Sequence, residues 1–198
     1  MKPHLRQVGI VIAILGTAAV STAAITPSFG FLPESRIWVE GTSTVRGYSC
    51  EAAEVKGTVE APTPAFDVTK LDGAVSKARV AVDVATLECG NGTMNSHMRK
   101  ALKVDQHGVI AFQLTDYQAT AGGAETKVRM NGTLEIAGQT RPVVVDGVAT
   151  AADNGAVRVK GSTAFAMTDY GVKPPSLMMG TMKVHPNVKV NFDVVVKP

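Results

Sequence analysis

Hydrophobic and polar residues alternate along much of the chain, with the period of two expected of strands that have one apolar face. The alternation is clearest over 127–136, where polar residues separate Val128, Met130, Leu134 and Ile136. Regular alternation or a β-rich composition marks seven further candidate strands, at 36–40, 53–61, 78–84, 109–115, 142–150, 156–166 and 188–196. This pattern predicts strands that each place one face against an apolar interior and the other in water.

One segment departs from the strand pattern and predicts a short helix near residues 92–103. Thr93 is the candidate N-cap, since its hydroxyl could accept a hydrogen bond from the first turn. Four side chains have helical spacing in this segment, namely Met94, His97, Met98 and Leu102. The chain therefore reads as a strand series with a single inserted helix.

Composition favours the same fold class. The chain has 28 Val and 19 Thr but only 9 Leu, and β-branched side chains suit a pleated surface better than a helix. Turn sequences at 137–139 and 153–155 separate neighbouring strands, which indicates antiparallel hairpins. Eight such strands can close into a barrel or divide into a sandwich. Aromatic residues make up only 5% of the chain, which favours a partly empty interior over a filled one.

The N-terminus resembles a secretory signal peptide. Residues 1–24 contain two basic residues, an uncharged apolar run at 8–20 and small residues before a cleavage point after Ala23 or Ala24. That run is shorter than the roughly 20 residues of a spanning helix, although an uncleaved anchor stays an alternative. We expect a periplasmic or secreted protein, divided into signal peptide 1–24, lead-in 25–35 and one domain over 36–198.

Charge excludes one class of partner. After residue 24 the chain has 18 Lys and Arg against 17 Asp and Glu, a balance of +1. Nucleic-acid-binding proteins have a strongly basic face or an excess of positive charge. We therefore expect no nucleic-acid partner.

The predicted export affects how the two cysteines are interpreted. Cys50 and Cys89 are the only cysteines, and an oxidising compartment favours a disulfide between them over two free thiols. In the loop-entropy description such a bridge would stabilise the fold by roughly 3–4 kcal/mol. No CxxC spacing suggests a redox role, so we predict a structural disulfide.

Catalytic motifs are missing from the sequence. HExxH and Gly-x-Ser-x-Gly do not occur, and no spacing of Ser, His and Asp marks a nucleophile with its base. Neither a phosphate-binding glycine loop nor a paired carboxylate motif is found. We expect neither an enzyme nor a bound cofactor.

Methionine and histidine leave one metal alternative open. Met94, His97 and Met98 would share a helix face, and thioethers suit monovalent copper. A second Met-rich stretch contains Met178, Met179, Met182 and His185. Met also fills irregular apolar gaps, so core or cavity lining is the favoured interpretation and no metal ligand is predicted.

Five stretches resemble the YceI-like family, whose members are exported lipocalin-like proteins associated with polyisoprenoid lipids. They are the opening strand at 37–45, the helix at 95–102, the strand start at 110–112, and the acidic-aromatic-Gly-aliphatic loop at 169–172. The most specific stretch is 132–143, which follows the hairpin pattern G-x-L-x-I-x-G-x-T-x-x-V. The resemblance implies an eight-stranded antiparallel lipocalin-like β-barrel with a helix near one end and an elongated apolar cavity.

Two positions depart from that family pattern. Many relatives carry a histidine after the first strand, where this chain has Tyr48, Ser49 and Cys50. Gly108 replaces a proline that is common before the strand at 109. A head-group contact made by the family histidine therefore does not transfer to this chain.

Strand parity selects the candidate ligand-binding residues. The predicted cavity lining is Val82, Val84, Ile110, Phe112, Met130, Leu134, Phe165, Val190 and Phe192. The segment 168–185 contains Pro174 and Pro175 and cannot run as a regular central strand, so it is the candidate cavity mouth. The predicted mouth residues are Met98, Leu102, Tyr170 and Met178.

Three functions stay open at this point. The favoured one is an exported protein that holds a long-chain isoprenoid or similar amphiphilic lipid in an apolar barrel. The alternatives are a ligand-free structural or stress-related envelope protein and a copper-binding protein. No membrane span is expected after signal cleavage, and self-association as a homodimer is left open.

Overall fold

The computed structural model describes residues 26–177 and 182–197. Within them, twelve strands and one α-helix follow the chain: β1 (Ser28–Phe31), β2 (Arg36–Ser43), β3 (Gly47–Ala52), β4 (Lys56–Glu60), β5 (Lys77–Asp83), β6 (Leu87–Glu88), α1 (Gly92–Ala101), β7 (Val109–Gly122), β8 (Glu125–Ile136), β9 (Gln139–Ala151), β10 (Val157–Ala166), β11 (Ser176–Leu177) and β12 (Met182–Lys197). No helix in the described residues is long and apolar enough to cross a membrane.

The strands close into one antiparallel barrel. Hydrogen bonds run in the order β1, β4, β5, β7, β8, β9, β10, β12, and β12 pairs with β1 to complete the ring. Toward one end, β2, β3 and β6 continue the lines of β1, β4 and β5, because β2 pairs with β12 and β3 pairs with both β2 and β6. The barrel therefore has eight strand positions, which confirms the predicted fold class.

Two predicted segments differ in the structure. The candidate strand at 53–61 is shorter in the structure. Residues 53–55 form a break after β3, and the strand β4 follows from Lys56 to Glu60. The lead-in at 25–35 contains β1, which closes the barrel and places Phe29 in the core at 1% exposure. Four residues are too few for an alternating pattern to stand out, so periodicity alone missed this strand.

The helix is present, with a different cap from the predicted one. Asn91, not Thr93, is the N-cap, because its side-chain oxygen accepts hydrogen bonds from the backbone N–H groups of Thr93 and Met94. Thr93 lies in the first turn instead. The helix ends at Ala101, two residues before the predicted end.

Several contacts fix α1 over one end of the barrel. The disulfide between Cys50 and Cys89 joins β3 to the segment just before the helix, as predicted. Buried Asn95 donates to Glu88 over 2.6 Å and accepts from the backbone of Cys89 over 2.8 Å. The bond from Asn95 also holds the pKa of Glu88 below its ordinary value. The helix is thus a fixed part of the barrel end.

The two ends of the barrel are built differently. We call the end formed by the β2–β3 turn, α1 and residues 167–177 the helix end. At the opposite end, residues 61–76 cross the barrel and form what we call the floor. Leu71 in the floor packs with Val128 and Val157, and Phe66 packs on Phe29 with ring centroids 4.4 Å apart. The floor is therefore an apolar closure.

Candidate functional site

A cavity of about 550 Å³ extends from the floor to the helix end. Its lining is mostly Val, Leu, Ile, Phe and Met. Inward-facing residues such as Val80, Val159 and Val190 stay half-exposed, since open space rather than packed side chains lies against them. The barrel interior is thus partly empty.

Eight of the nine residues chosen by strand parity lie on the cavity wall: Val82, Ile110, Phe112, Met130, Leu134, Phe165, Val190 and Phe192. Val84 is the exception, and its assignment to the lining is wrong. Strand β5 ends at Asp83, and a 3₁₀ turn begins at Val84, so strand parity no longer applies there. Val84 is 1% exposed and packs with Leu87 beneath the helix.

The predicted mouth residues separate into three cases. Met98 lines the cavity from the inner face of α1, and Leu102 lines it from the C-cap position directly after the helix. Tyr170 does not line it and the prediction is wrong here, because the side chain is 2% exposed and packs edge-on against Phe165 at 5.0 Å. Burial raises the pKa of Tyr170, with a smaller contribution from Asp169. Met178 lies outside the described residues.

Tyr170 instead anchors the loop at the helix end. Its ring belongs to a buried cluster with Leu134, Ile136 and Val172. Gly171 follows in a left-handed conformation with φ of 66° and ends the short 3₁₀ turn. The acidic-aromatic-Gly-aliphatic sequence thus serves to hold the loop against the barrel.

Glycines on three strands keep aromatic rings against the wall. Glycine has no Cβ, and an aromatic ring from a neighbouring strand occupies the position where a Cβ would lie. Any larger residue at these positions would overlap that ring. The pairs are Tyr48 on Gly41, Phe112 on Gly132, and Phe192 on Gly161. Because these rings lie along the wall, the centre of the barrel stays open.

The cavity reaches solvent at the helix end. Its lining there includes Val45 and Arg46 in the β2–β3 turn and Asn91 and Thr93 at the start of α1, all of them exposed. At the floor the corresponding lining residues, such as Leu71, are buried or half-buried. A ligand would therefore enter between the β2–β3 turn and the helix.

Hydrogen bonds from the barrel wall hold the floor in place. The Tyr117 hydroxyl donates to the carbonyl of Leu71 and accepts from the backbone N–H of Val75. Thr126, at 1% exposure, donates its hydroxyl to the carbonyl of Val68. These bonds satisfy backbone groups that the irregular floor segment would otherwise bury unpaired.

Tyr48 and His97 are two of the polar side chains that line the open half of the cavity. The Tyr48 ring is half-buried, and burial raises the pKa of its hydroxyl, which keeps that group protonated at neutral pH. The Nδ1 atom of His97 is buried and has no hydrogen-bond partner among the described residues. Tyr48 and His97 thus bring polar side chains to a mostly apolar lining, although the Nδ1 atom of His97 itself is shielded. The sequence distinguishes Tyr48 only as a departure from the family pattern and His97 only by its helical spacing with methionines.

The methionine and histidine residues of the copper alternative also lie at this end. Met94, His97 and Met98 all line the cavity, as their helical spacing implies. In the second stretch, Met182 lines the cavity and His185 Nδ1 is hydrogen-bonded to Thr42 over 2.9 Å. Met178 and Met179 lie outside the described residues. No group of three or more His, Cys, Asp or Glu within the described chain could hold a metal ion.

Comparison with solved structures finds the same fold at low sequence identity. Burkholderia cenocepacia BcnA matches with a TM-score of 0.66 and 19% identity, covering 82% of this chain and 96% of that one. A polyisoprenoid binding domain from Saccharophagus degradans, implicated in plant cell wall breakdown, matches at 0.63 and 12%, covering 85% and 97%. The Campylobacter jejuni YceI protein matches at 0.57 and 17%, covering 74% and 82%.

The sequence itself places the chain in a family. No curated protein matches it significantly. The family profile described as YceI-like domain matches residues 34–196, which include every strand of the barrel except β1 and all but the last residue of β12. The protein is therefore a member of the YceI-like domain family.

Proposed function

We propose that this protein carries a long-chain isoprenoid or a similar amphiphilic lipid in the barrel cavity. The observation that carries the proposal is an apolar cavity of about 550 Å³ that is closed at the floor and open at the helix end. Each buried CH₂ group of a hydrocarbon chain contributes ~0.8 kcal/mol, so a long chain would be held mainly by its length. The polyisoprenoid binding named for the Saccharophagus degradans domain supports the same ligand class.

The lining sets the orientation of such a lipid. An apolar tail fits toward the floor, where Phe66 and Leu71 line the cavity. A polar head fits near Tyr48 and His97, two polar side chains in the lining at the helix end. Few, well-placed polar groups in an apolar pocket are the usual arrangement of a small-molecule site.

Export is part of the proposal. The disulfide between Cys50 and Cys89 persists most readily in an oxidising compartment, which supports a periplasmic or secreted location. The predicted signal peptide at 1–24 lies outside the described residues. Binding without catalysis, and the absence of a resident cofactor, remain part of this proposed function.

Lipid extraction and native mass spectrometry test the proposal. Protein purified from the exported fraction should contain a hydrocarbon-rich ligand, or should take up a polyprenol added in detergent. Val190→Trp should strongly reduce occupancy, because the larger ring fills space in front of the cavity wall. Lys189→Trp, on the outer face of the same strand, is the matched control and should keep the ligand.

Circular dichroism establishes that each variant is folded, and Val159→Phe is the second filling variant if Val190→Trp unfolds. Wild-type protein that contains no lipid and takes up none would overturn the proposal. Equal occupancy in folded Val190→Trp and Lys189→Trp would place the ligand outside the cavity. The first of these results would favour the ligand-free structural alternative.

A further inference from the structure

Charge is distributed very unevenly between the helix end and the rest of the molecule. The segments 41–50, 91–104, 167–177 and 182–187 lie at the helix end, and they contain six Lys or Arg residues and a single acidic residue, Asp169. The remainder of the chain after residue 24 has 12 Lys or Arg against 16 Asp or Glu. A chain of nearly neutral total charge thus presents a positive end around its cavity opening.

Three of these cations lie in segments that backbone hydrogen bonds connect with an exposed apolar turn. Val45 lies at the tip of the β2–β3 turn, is 65% exposed and also borders the cavity. Arg46 follows it directly, and the Thr44 N–H donates to the Lys183 carbonyl over 3.0 Å. The segment that contains Lys173 is connected with the Lys183 segment, because the Val184 N–H donates to the carbonyl of Pro175. We call Val45, Arg46, Lys173 and Lys183 the rim.

Within the described chain, the rim cations have no ion-pair partner, unlike seven of the twelve Lys and Arg residues outside the helix end. Seven ion pairs occur among the described residues, and none of them includes Arg46, Lys173 or Lys183. The acidic residue nearest to the start of the helix, Glu88, already accepts hydrogen bonds from Asn95 and the backbone of Gly90. The positive charge of the rim is therefore available to an external anion.

We propose that the rim docks the open end of the barrel onto an anionic lipid bilayer surface. Clustered Lys and Arg residues are attracted to negatively charged head groups, and an exposed apolar side chain gains from burial at the interface. Docking in this orientation brings the cavity opening against the membrane, which gives a long-chain lipid a path that avoids bulk water. This last step rests on the proposed function, whereas the docking itself rests on the rim.

Vesicle flotation measures the docking directly. The probe is phosphatidylcholine vesicles with about one-third phosphatidylglycerol, compared with phosphatidylcholine alone. Intact mass is measured first, since a retained apolar leader would itself bind vesicles. Wild-type protein should float with the anionic vesicles, and added salt should weaken binding because it screens exposed charges.

A charge-matched pair of variants locates the binding surface. The triple variant Arg46→Gln/Lys173→Gln/Lys183→Gln should reduce partitioning by about tenfold or more. Arg79→Gln/Lys127→Gln/Lys197→Gln removes the same net charge away from the helix end, and none of these three belongs to an ion pair within the described chain. This control should bind nearly as well as wild type. Val45→Ser should weaken binding by a smaller factor.

The outcomes separate docking from lipid carriage. Equal binding by the two triple variants, or no binding of wild type to anionic vesicles, overturns docking through the rim even if the purified protein contains lipid. Rim-dependent binding by a protein that contains and takes up no lipid would support docking while the proposed function fails. Circular dichroism of each variant shows whether lost binding is a loss of fold.

Discussion

The floor and the helix end close the same barrel in opposite ways. At the floor, an irregular segment is packed by Phe29 and Leu71 and hydrogen-bonded by Tyr117 and Thr126. At the helix end, the helix is fixed at its edge by the disulfide and Asn95, yet the space beside it stays open. One end supplies apolar closure, and the other supplies access.

Polar groups follow this division in part. Floor backbone groups find partners on the barrel wall. Among the described residues, two of the three buried side-chain atoms without a partner lie at the helix end, on His97 and Arg99, and the third is the amide of Asn191 on β12. Several wall cations are paired, as Arg158 is with Asp193, while the rim cations are not paired within the described chain.

The largest expected effect compares two phenylalanines. Phe29→Ala at the floor should lower the free energy of unfolding by about 3–5 kcal/mol, because it leaves a void in a fully packed cluster. Phe192→Ala on the cavity wall should cost about half of that or less, since it enlarges space that is already open. Urea unfolding of both variants measures the difference.

The slope of each urea transition serves as the internal control, since an unchanged slope shows that the folded and unfolded states are comparable. Equal losses for Phe29→Ala and Phe192→Ala would mean that the cavity wall is as tightly packed as the floor. The contrast between the two regions would then be wrong.

An intermediate effect is expected for the hydroxyl that holds the floor. Tyr117→Phe keeps the ring but leaves the Leu71 carbonyl and the Val75 N–H without that partner, at a cost of about 1–3 kcal/mol. The floor segment should become more open locally, so proteolysis within 61–76 should speed up. Tyr48→Phe at the helix end is the matched control and should leave that cleavage unchanged. Identical cleavage of both variants would contradict the assigned role of Tyr117.

Sequence periodicity predicted the barrel wall well, because a period of two is a local property of each strand. The alternation over 109–115 and 127–136 assigned Ile110 and Leu134 to the interior, and both lie on the cavity wall. The same method failed at Val84, where the strand had already ended. Parity is informative only as long as the strand continues.

The barrel ends were harder to predict, since they depend on contacts between segments that are distant in the chain. The loop sequence around Tyr170 predicts a residue at the cavity mouth, and only the fold shows that its ring packs against Phe165. Tyr48 lines the cavity because Gly41 on the neighbouring strand leaves room for its ring. The scarcity of acidic residues in 41–50, 91–104, 167–177 and 182–187 is visible in the sequence. Only the fold showed that these segments share one end.

The smallest expected effect concerns a paired charge on the wall. Arg158 donates two hydrogen bonds to Asp193, of 2.6 and 2.7 Å, and this lowers the pKa of the Asp193 carboxyl below its ordinary 3.8. A carboxyl with a lowered folded-state pKa stabilises the fold above its ordinary pKa, and that contribution is lost as pH falls through the lowered value. Asp193→Asn should therefore be less stable at neutral pH and lose less stability on acidification than wild type.

The matched variant for this test is Arg46→Gln, which removes an unpaired rim cation. It should leave the acid dependence of unfolding unchanged, since Arg46 has no carboxylate partner among the described residues. Melting temperatures measured from pH 7 to pH 3 compare the two variants. If Arg46→Gln flattened the acid limb as Asp193→Asn should, the rim charge would be stabilising the fold and could not be assigned to docking alone.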